Sequence, residues 1–167
     1  MKTLVTALVF STLALAQGQR QLPTPAQAVR NNFADVNRRL LDMAQDFPED
    51  KYNFKPKPEM RTFGDVIAHV IAGDEFGARV SKGENVKWDA LEKSASDYKG
   101  KADLVASLKK WVDEANTTLK SMPDERFQTT LSPWMAIVEH AGEHYGQLVV
   151  YYRLNGMVPP ESRPKSK

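Results

Sequence analysis

The sequence predicts an all-α protein, a four-helix bundle with some long connections. Four stretches carry apolar residues at spacings of three and four, which is the period of one helix face. Proline or glycine residues end these stretches, and no segment of useful length alternates between apolar and polar residues as a half-buried strand would. No internal repeat is present in the sequence, and a length of 167 residues predicts a single domain.

The first 16 residues are typical of a cleavable signal peptide. Lys2 supplies a positive charge, Leu4–Leu13 is a short apolar run, and Ala14-Leu15-Ala16 offers small residues for cleavage after position 16. The apolar run is shorter than the ~20 residues of a membrane-spanning helix. We therefore expect a periplasmic or secreted protein without a stable membrane anchor, with a bundle over residues 17–160 and a flexible tail over residues 161–167. The alternatives are an uncleaved amphipathic start and a wrongly assigned initiation codon.

The composition excludes several kinds of chemistry and partner. The chain has no cysteine, so disulfides, thiolate metal ligands, a cysteine nucleophile and a lipoprotein anchor are excluded. Without the signal peptide, 22 basic and 21 acidic residues remain, which gives a net charge of about +1. This balance offers no electrostatic surface for nucleic acid, and the expected partner is a small-molecule substrate.

The first two predicted helices begin at recognisable caps. The first covers Pro25–Phe47, with Thr24 as N-cap and proline at the first helical position. The second covers Phe63–Ser81, where Thr62 as N-cap and Asp65 three residues later resemble a capping box. The connection between these helices is rich in proline and is predicted to be extended.

The third and fourth predicted helices cover Lys101–Met122 and Pro133–Leu154. Ser132 is the predicted N-cap of the fourth helix, with proline at its first position. The polar connection Lys82–Gly100 is long for a link between packed helices, which favours a functional loop or a lid that shapes access to a site.

The three histidines of the chain suggest a metal site. His140 and His144 are four residues apart in the fourth helix, so they project from the same face. His69 lies on the apolar face of the second helix and would supply a third imidazole. Three histidines would leave coordination positions open, as in catalytic metal sites. Neutral imidazole is the commonest protein ligand of zinc and also suits nickel, copper and iron. The expected divalent ion is zinc or nickel, with iron or manganese as alternatives.

Other interpretations of these residues remain open. A histidine on an apolar helix face is often a core residue, and the segment from His140 to His144 also matches the HxxEH peptidase pattern with Glu143 as base. Only Glu161 follows as a carboxylate that could complete that pattern. Asp65 is interpreted as a helix cap rather than as a partner of His69, tryptophan residues are interpreted as packing residues, and no general acid or base is assigned.

Two longer motifs resemble the DinB-like family. The motifs are Arg61-Thr62-Phe63-Gly64-Asp65-Val66-Ile67-Ala68-His69 and His140-x-x-x-His144-x-Gly146-Gln147-Leu148-x-x-Tyr151-x-Arg153-x-x-Gly156-x-x-Pro159-Pro160. The resemblance covers about residues 25–160. It implies a four-helix bundle with up-down-down-up topology, a possible homodimer, and a divalent ion such as nickel or zinc at His69, His140 and His144. Characterised relatives include thiol-dependent S-transferases and a mycothiol-dependent isomerase.

Three functions follow as hypotheses. The leading one is an exported metal-dependent enzyme of hydrolase type, in which the metal activates water. A thiol-dependent S-transferase is the first alternative, although export would separate it from the cytosolic thiols that such enzymes use. The second alternative is a non-enzymatic metal-binding or interaction bundle, in which the ion only stabilises the fold.

Overall fold

The computed structural model describes residues 21–164, and the predicted signal peptide lies outside this range. Over the described residues the protein is all-α, and no strand is present. The helices are α1 (Pro25–Asp46), α2 (Phe63–Ser81), α3 (Lys101–Ser121), α4 (Arg126–Thr129) and α5 (Trp134–Leu154). The four long helices are those that the apolar periodicity predicts, and α4 is a single additional turn. Within the described range, no helix is both long enough and apolar enough to cross a membrane.

Both α1 and α2 begin at the predicted caps. Thr24 and Gln27 form a capping box at the start of α1, and Thr62 and Asp65 form another at the start of α2. Each box satisfies backbone amides of the first helical turn that have no partner within the helix.

The start of α5 differs from the prediction. Pro133 is the residue before the helix, the Ser132-Pro133 peptide bond is cis, and no side chain caps the helix. The backbone supplies the first bond instead, because the Met135 amide donates to the Leu131 carbonyl. The predicted side-chain cap at Ser132 is therefore wrong.

Contacts near the helix ends define the directions of the long helices. Arg30 at the start of α1 donates to the Leu119 carbonyl at the end of α3, so these helices are antiparallel. Tyr152 at the end of α5 donates to the Met43 carbonyl at the end of α1, so α1 and α5 are parallel. The neighbouring Tyr151 reaches the carbonyl just before α2, so α2 and α5 are antiparallel. The order is up-down-down-up, as the resemblance implies.

The side-by-side packing of α2 and α5 positions the histidines. Each of α1 and α2 packs against both α3 and α5, so α1 and α2 occupy diagonal positions in the bundle although they are consecutive in the chain. Their connection crosses one end of the bundle, where the rings of Phe47 and Phe63 stack 3.9 Å apart. Because α2 and α5 are neighbours, the helix faces that carry the histidines lie next to each other.

The bundle core consists of two apolar clusters. One surrounds Phe47, Phe63 and Tyr152, and the other surrounds Phe33 and Trp134, whose rings meet edge to face at 5.5 Å. Two buried polar residues, Asn37 on α1 and Asp74 on α2, belong to neither cluster.

The first residues of the predicted flexible tail are attached to α1. Pro160–Ser162 forms a 3-10 turn, Glu161 pairs with Arg38 at 3.1 Å, and Arg163 pairs with Asp46 at 2.5 Å. These contacts arise because α1 presents charges opposite in sign to those of the tail. Residues 165–167 lie outside the described range.

Candidate metal centre

The bundle brings the three histidines together. His69 projects from α2, whereas His140 and His144 project from adjacent turns of α5. The ring centroid of His69 is 4.8 Å from that of His140 and 4.8 Å from that of His144. The centroids of His140 and His144 are 4.5 Å apart. One nitrogen from each ring lies within 4.8 Å of the other two, so small changes of side-chain torsion would let one ion contact all three. All three predicted ligands therefore occupy one site.

A glycine in α2 makes room for one of these rings. A Cβ atom on Gly73 would lie 2.9 Å from Nδ1 and 3.0 Å from Cε1 of His140. Real Cβ atoms essentially never make contacts below 3.0 Å, so the ring occupies the space that any other residue at position 73 would fill. The glycine content of α2 thus has a specific steric reason at this position.

Burial favours the neutral form of two of the imidazoles, those of His69 and His140. Desolvation lowers the pKa of His140 to about 3, with smaller contributions from the charges of His144 and His69. Desolvation also lowers the pKa of His69, and the nearby Arg61 acts in the same direction. Neutral imidazole is the form that binds metals, because its unprotonated nitrogen carries a free lone pair.

Unpaired nitrogen atoms indicate that the histidine group fits a divalent cation. Nε2 of His140 is buried and has no hydrogen-bond partner among the described residues. A buried nitrogen without a partner is costly in a closed core but is expected of a ligand. A group of three imidazole donors suits zinc or nickel and leaves room for further ligands.

A carboxylate that sequence analysis missed contacts one of the histidines. Glu92, in the Lys82–Gly100 connection, places Oε1 2.5 Å from Nδ1 of His69. The same oxygen accepts a hydrogen bond of 2.8 Å from Nε1 of Trp88. The two atoms are close, but they do not have the geometry of a hydrogen bond, and the buried Nδ1 of His69 has no hydrogen-bond partner among the described residues. Glu92 thus places negative charge beside His69, as carboxylates commonly do behind metal-binding histidines.

The Lys82–Gly100 connection also covers the site with an aromatic ring. The Trp88 ring centroid is 5.6 Å from that of His69 and 5.4 Å from that of His140. Trp88 is a packing residue, as the sequence suggested, but it packs on the histidines themselves. The connection therefore contributes both a charge and a cover, which agrees with its predicted role at a site.

His144 begins a hydrogen-bond chain that leads to α2. Its Nδ1 lies 2.8 Å from Oε1 of Gln147, and Nε2 of Gln147 donates to the Tyr151 hydroxyl at 3.4 Å. The Tyr151 hydroxyl then donates to the Arg61 carbonyl at 2.6 Å, next to the cap of α2. This chain connects the helices that carry the histidines.

The other carboxylates singled out by the sequence do not join the histidines. Asp65 accepts hydrogen bonds from the Thr62 hydroxyl and the Ala95 amide, so its role is capping and attachment of the connection. Glu161 is paired with Arg38, which leaves the HxxEH peptidase pattern without its third ligand. The third residue in the group with His140 and His144 is His69 of α2.

The fold and the site together define a class of protein: a helical bundle with a three-histidine group that could hold a metal ion. A family model of the DinB superfamily matches residues 32–151. This match covers more than half of the chain, and the protein belongs to the DinB superfamily. No curated protein sequence matches the chain.

Proposed function

We propose that this protein is an exported metal-dependent enzyme of hydrolase type that acts on a small molecule. The observation that carries the proposal is the convergence of three imidazoles from two helices, with no fourth protein ligand in that group among the described residues. When bound, a divalent ion at this site supplies Lewis acidity, which acidifies coordinated water and polarises a carbonyl or phosphoryl oxygen.

The residues of the chain have distinct roles in this proposal. His69, His140 and His144 hold zinc or nickel through ring nitrogens. Glu92 stabilises the orientation of His69, and the Trp88 ring shields the pair of histidines on which it packs from water. Shielding matters because charge interactions at the site strengthen when water is excluded.

The test is elemental analysis of the untagged protein beside the His140→Ala variant, followed by screening for hydrolysis and for thiol addition with the zinc- and nickel-loaded forms. We expect about one metal ion per chain, its loss in the variant, and hydrolysis that stops with the metal. Thiol addition without hydrolysis would instead establish the S-transferase. Stoichiometric metal without turnover would support the non-enzymatic bundle, and an absence of metal would refute all three functions.

Export and dimerisation are separate parts of the proposal. The signal-peptide pattern supports cleavage after Ala16, which N-terminal sequencing of the protein recovered outside the cytoplasm would test. The homodimer is suggested by the motifs that resemble the DinB-like family, and sedimentation of the purified protein would test it.

A further inference from the structure

We infer that the hydrogen-bond chain through Gln147 and Tyr151 selects one tautomer of His144, so that Gln147 is a positioning residue for this ligand. The purpose of such positioning rests on the proposed function, because it matters only if His144 binds a metal. The tautomer itself is a property of the metal-free protein and can be measured there.

The Arg61 carbonyl determines which groups donate and which accept along this hydrogen-bond chain. A backbone carbonyl can only accept, so the Tyr151 hydroxyl uses its single proton in the 2.6 Å bond to Arg61. The tyrosine oxygen can then only accept, and it faces the amide nitrogen of Gln147. The amide oxygen consequently faces Nδ1 of His144 at 2.8 Å. An acceptor at this position requires a proton on Nδ1 and leaves the lone pair on Nε2.

The reversed arrangement is unfavourable. Rotation of the Gln147 amide by half a turn would place its oxygen against the Tyr151 oxygen, whose proton is already engaged with Arg61. Two acceptors would then face each other in a half-buried position, which leaves both without a hydrogen bond and is therefore unfavourable. The longest link, 3.4 Å between Gln147 and Tyr151, therefore still matters, since it distinguishes the two amide orientations.

The tautomer has a direct consequence for metal binding. A ligand nitrogen must be unprotonated, and a histidine held with its lone pair on Nε2 needs no change of tautomer when the ion arrives. Partners of this kind behind a ligand typically change metal affinity by about 10–100-fold. His144 obtains its partner from neutral groups, whereas His69 has the carboxylate of Glu92.

The experiment combines two measurements on the same variants. Two-bond ¹H–¹⁵N correlation spectra of the metal-free protein at about pH 8, above the ordinary titration range of imidazole, report which nitrogen of each ring carries a proton. With three histidines in the chain, the spectrum is simple to assign. Competition with a chromophoric chelator then measures zinc affinity.

Three variants separate the links of the chain. Gln147→Leu removes the acceptor, and we expect a shift toward the Nε2–H form with a loss of zinc affinity of roughly 10–100-fold. Gln147→Glu retains an acceptor for Nδ1–H and should keep the wild-type tautomer and nearly the wild-type affinity. Tyr151→Phe should give a mixture of tautomers and an intermediate loss of affinity.

Tyr152→Phe is the matched control. It removes a tyrosine hydroxyl that donates to the Met43 carbonyl at 2.9 Å, on the same helix but outside the chain to His144. We expect lower stability without a change in the tautomer of His144. An Nε2–H tautomer in the wild type, or an unchanged tautomer in both Gln147→Leu and Tyr151→Phe, would overturn the inference. The Nδ1–H tautomer in a protein that binds no zinc or nickel would refute the proposed function alone.

Discussion

At the scale of single residues, Gly73 shows how the interface between α2 and α5 accommodates the His140 ring. Glycine inside a helix costs about 1 kcal/mol relative to alanine, so its place in α2 requires compensation. That compensation is visible in the packing, because the His140 ring lies where a Cβ atom of residue 73 would be. Gly73 thus lowers the helix propensity of α2 but allows α2 and α5 to approach closely at the histidines.

Gly73→Ala should weaken metal binding by at least about tenfold, because the new methyl group displaces His140 from the other two ligands. Zinc titration of the metal-free variant measures the effect. Gly142→Ala on α5 is the control, since no atom lies within 4 Å of its added Cβ. The control should gain up to about 1 kcal/mol of stability with unchanged affinity. Equal affinities in both variants would contradict the steric argument.

Glu92→Gln should lower zinc affinity by roughly tenfold, because it removes negative charge beside Nδ1 of His69 but retains an acceptor for Trp88. The same zinc titration provides the measurement. Glu84→Gln is the matched control in the same connection, where Glu84 pairs with Arg79 at 2.7 Å. If the two variants bind zinc with the same affinity, the charge of Glu92 has no role at the site.

At the scale of elements, one side chain joins the start of α2 to the connection that covers the site. Asp65 accepts from the Thr62 hydroxyl through one oxygen and from the Ala95 amide through the other. Burial alone would raise the pKa of Asp65, but the hydrogen bonds from Thr62 and Ala95 lower it below its ordinary value. The carboxylate is therefore held in its charged form, which is the form that accepts these bonds.

Asp65→Ala should destabilise the fold by about 1–2 kcal/mol and should speed amide exchange at Ala95, because both the cap and the attachment are lost. Urea denaturation and hydrogen exchange measure these effects. Asp103→Ala is a matched control, since Asp103 in the first turn of α3 accepts from the Lys99 amide at 3.0 Å. The control should lose stability without faster exchange at Ala95. Unchanged exchange in Asp65→Ala would show that the connection is held by other contacts.

At the scale of the whole molecule, a polar pair interrupts the core. Asn37 and Asp74 are essentially inaccessible to solvent, and each has one side-chain oxygen without a hydrogen-bond partner among the described residues. Burial raises the pKa of Asp74 to about 8, although the Asn37 side chain acts in the opposite direction. The folded state therefore favours the protonated acid, whereas the unfolded chain ionises near the ordinary pKa of about 4.

This difference predicts how stability depends on pH. Because Asp74 binds its proton more tightly in the folded state, its contribution to the free energy of unfolding decreases as pH rises from about 4 to about 8 and is constant above. Asp74→Asn should remove this decrease, which is on the order of several kcal/mol. Urea denaturation of the metal-free wild type and variant at about pH 5, 7 and 9 measures the difference between their free energies of unfolding. Because both proteins contain the same histidines, the histidine contributions cancel in this difference.

The exposed Asp113, which is paired with Lys109, provides the control. Asp113→Asn should leave the pH dependence of the wild type almost unchanged, since exposed ion pairs contribute little. A constant difference between wild type and Asp74→Asn across this pH range would contradict the buried-acid argument.

Local sequence patterns are sufficient to predict the four long helices and to single out the three histidines. Helix propensity, capping at Thr24 and Thr62, and the four-residue spacing of His140 and His144 are local properties, readable over one or two turns. The apolar periodicity of four stretches also required that they bury their faces against one another. Local patterns fail at Ser132, where the sequence is typical of a helix start but the side chain does not cap the helix.

Which other residues contact the histidines depends on how the helices and connections pack together. Glu92 and Trp88 belong to a connection without any period, so their contact with His69 depends on how that connection folds back over α2. The link from Tyr151 to Arg61 likewise spans distant parts of the chain. The physical reason is that such contacts arise from the packing of whole helices and connections, whereas residue spacing encodes only the period of a single element.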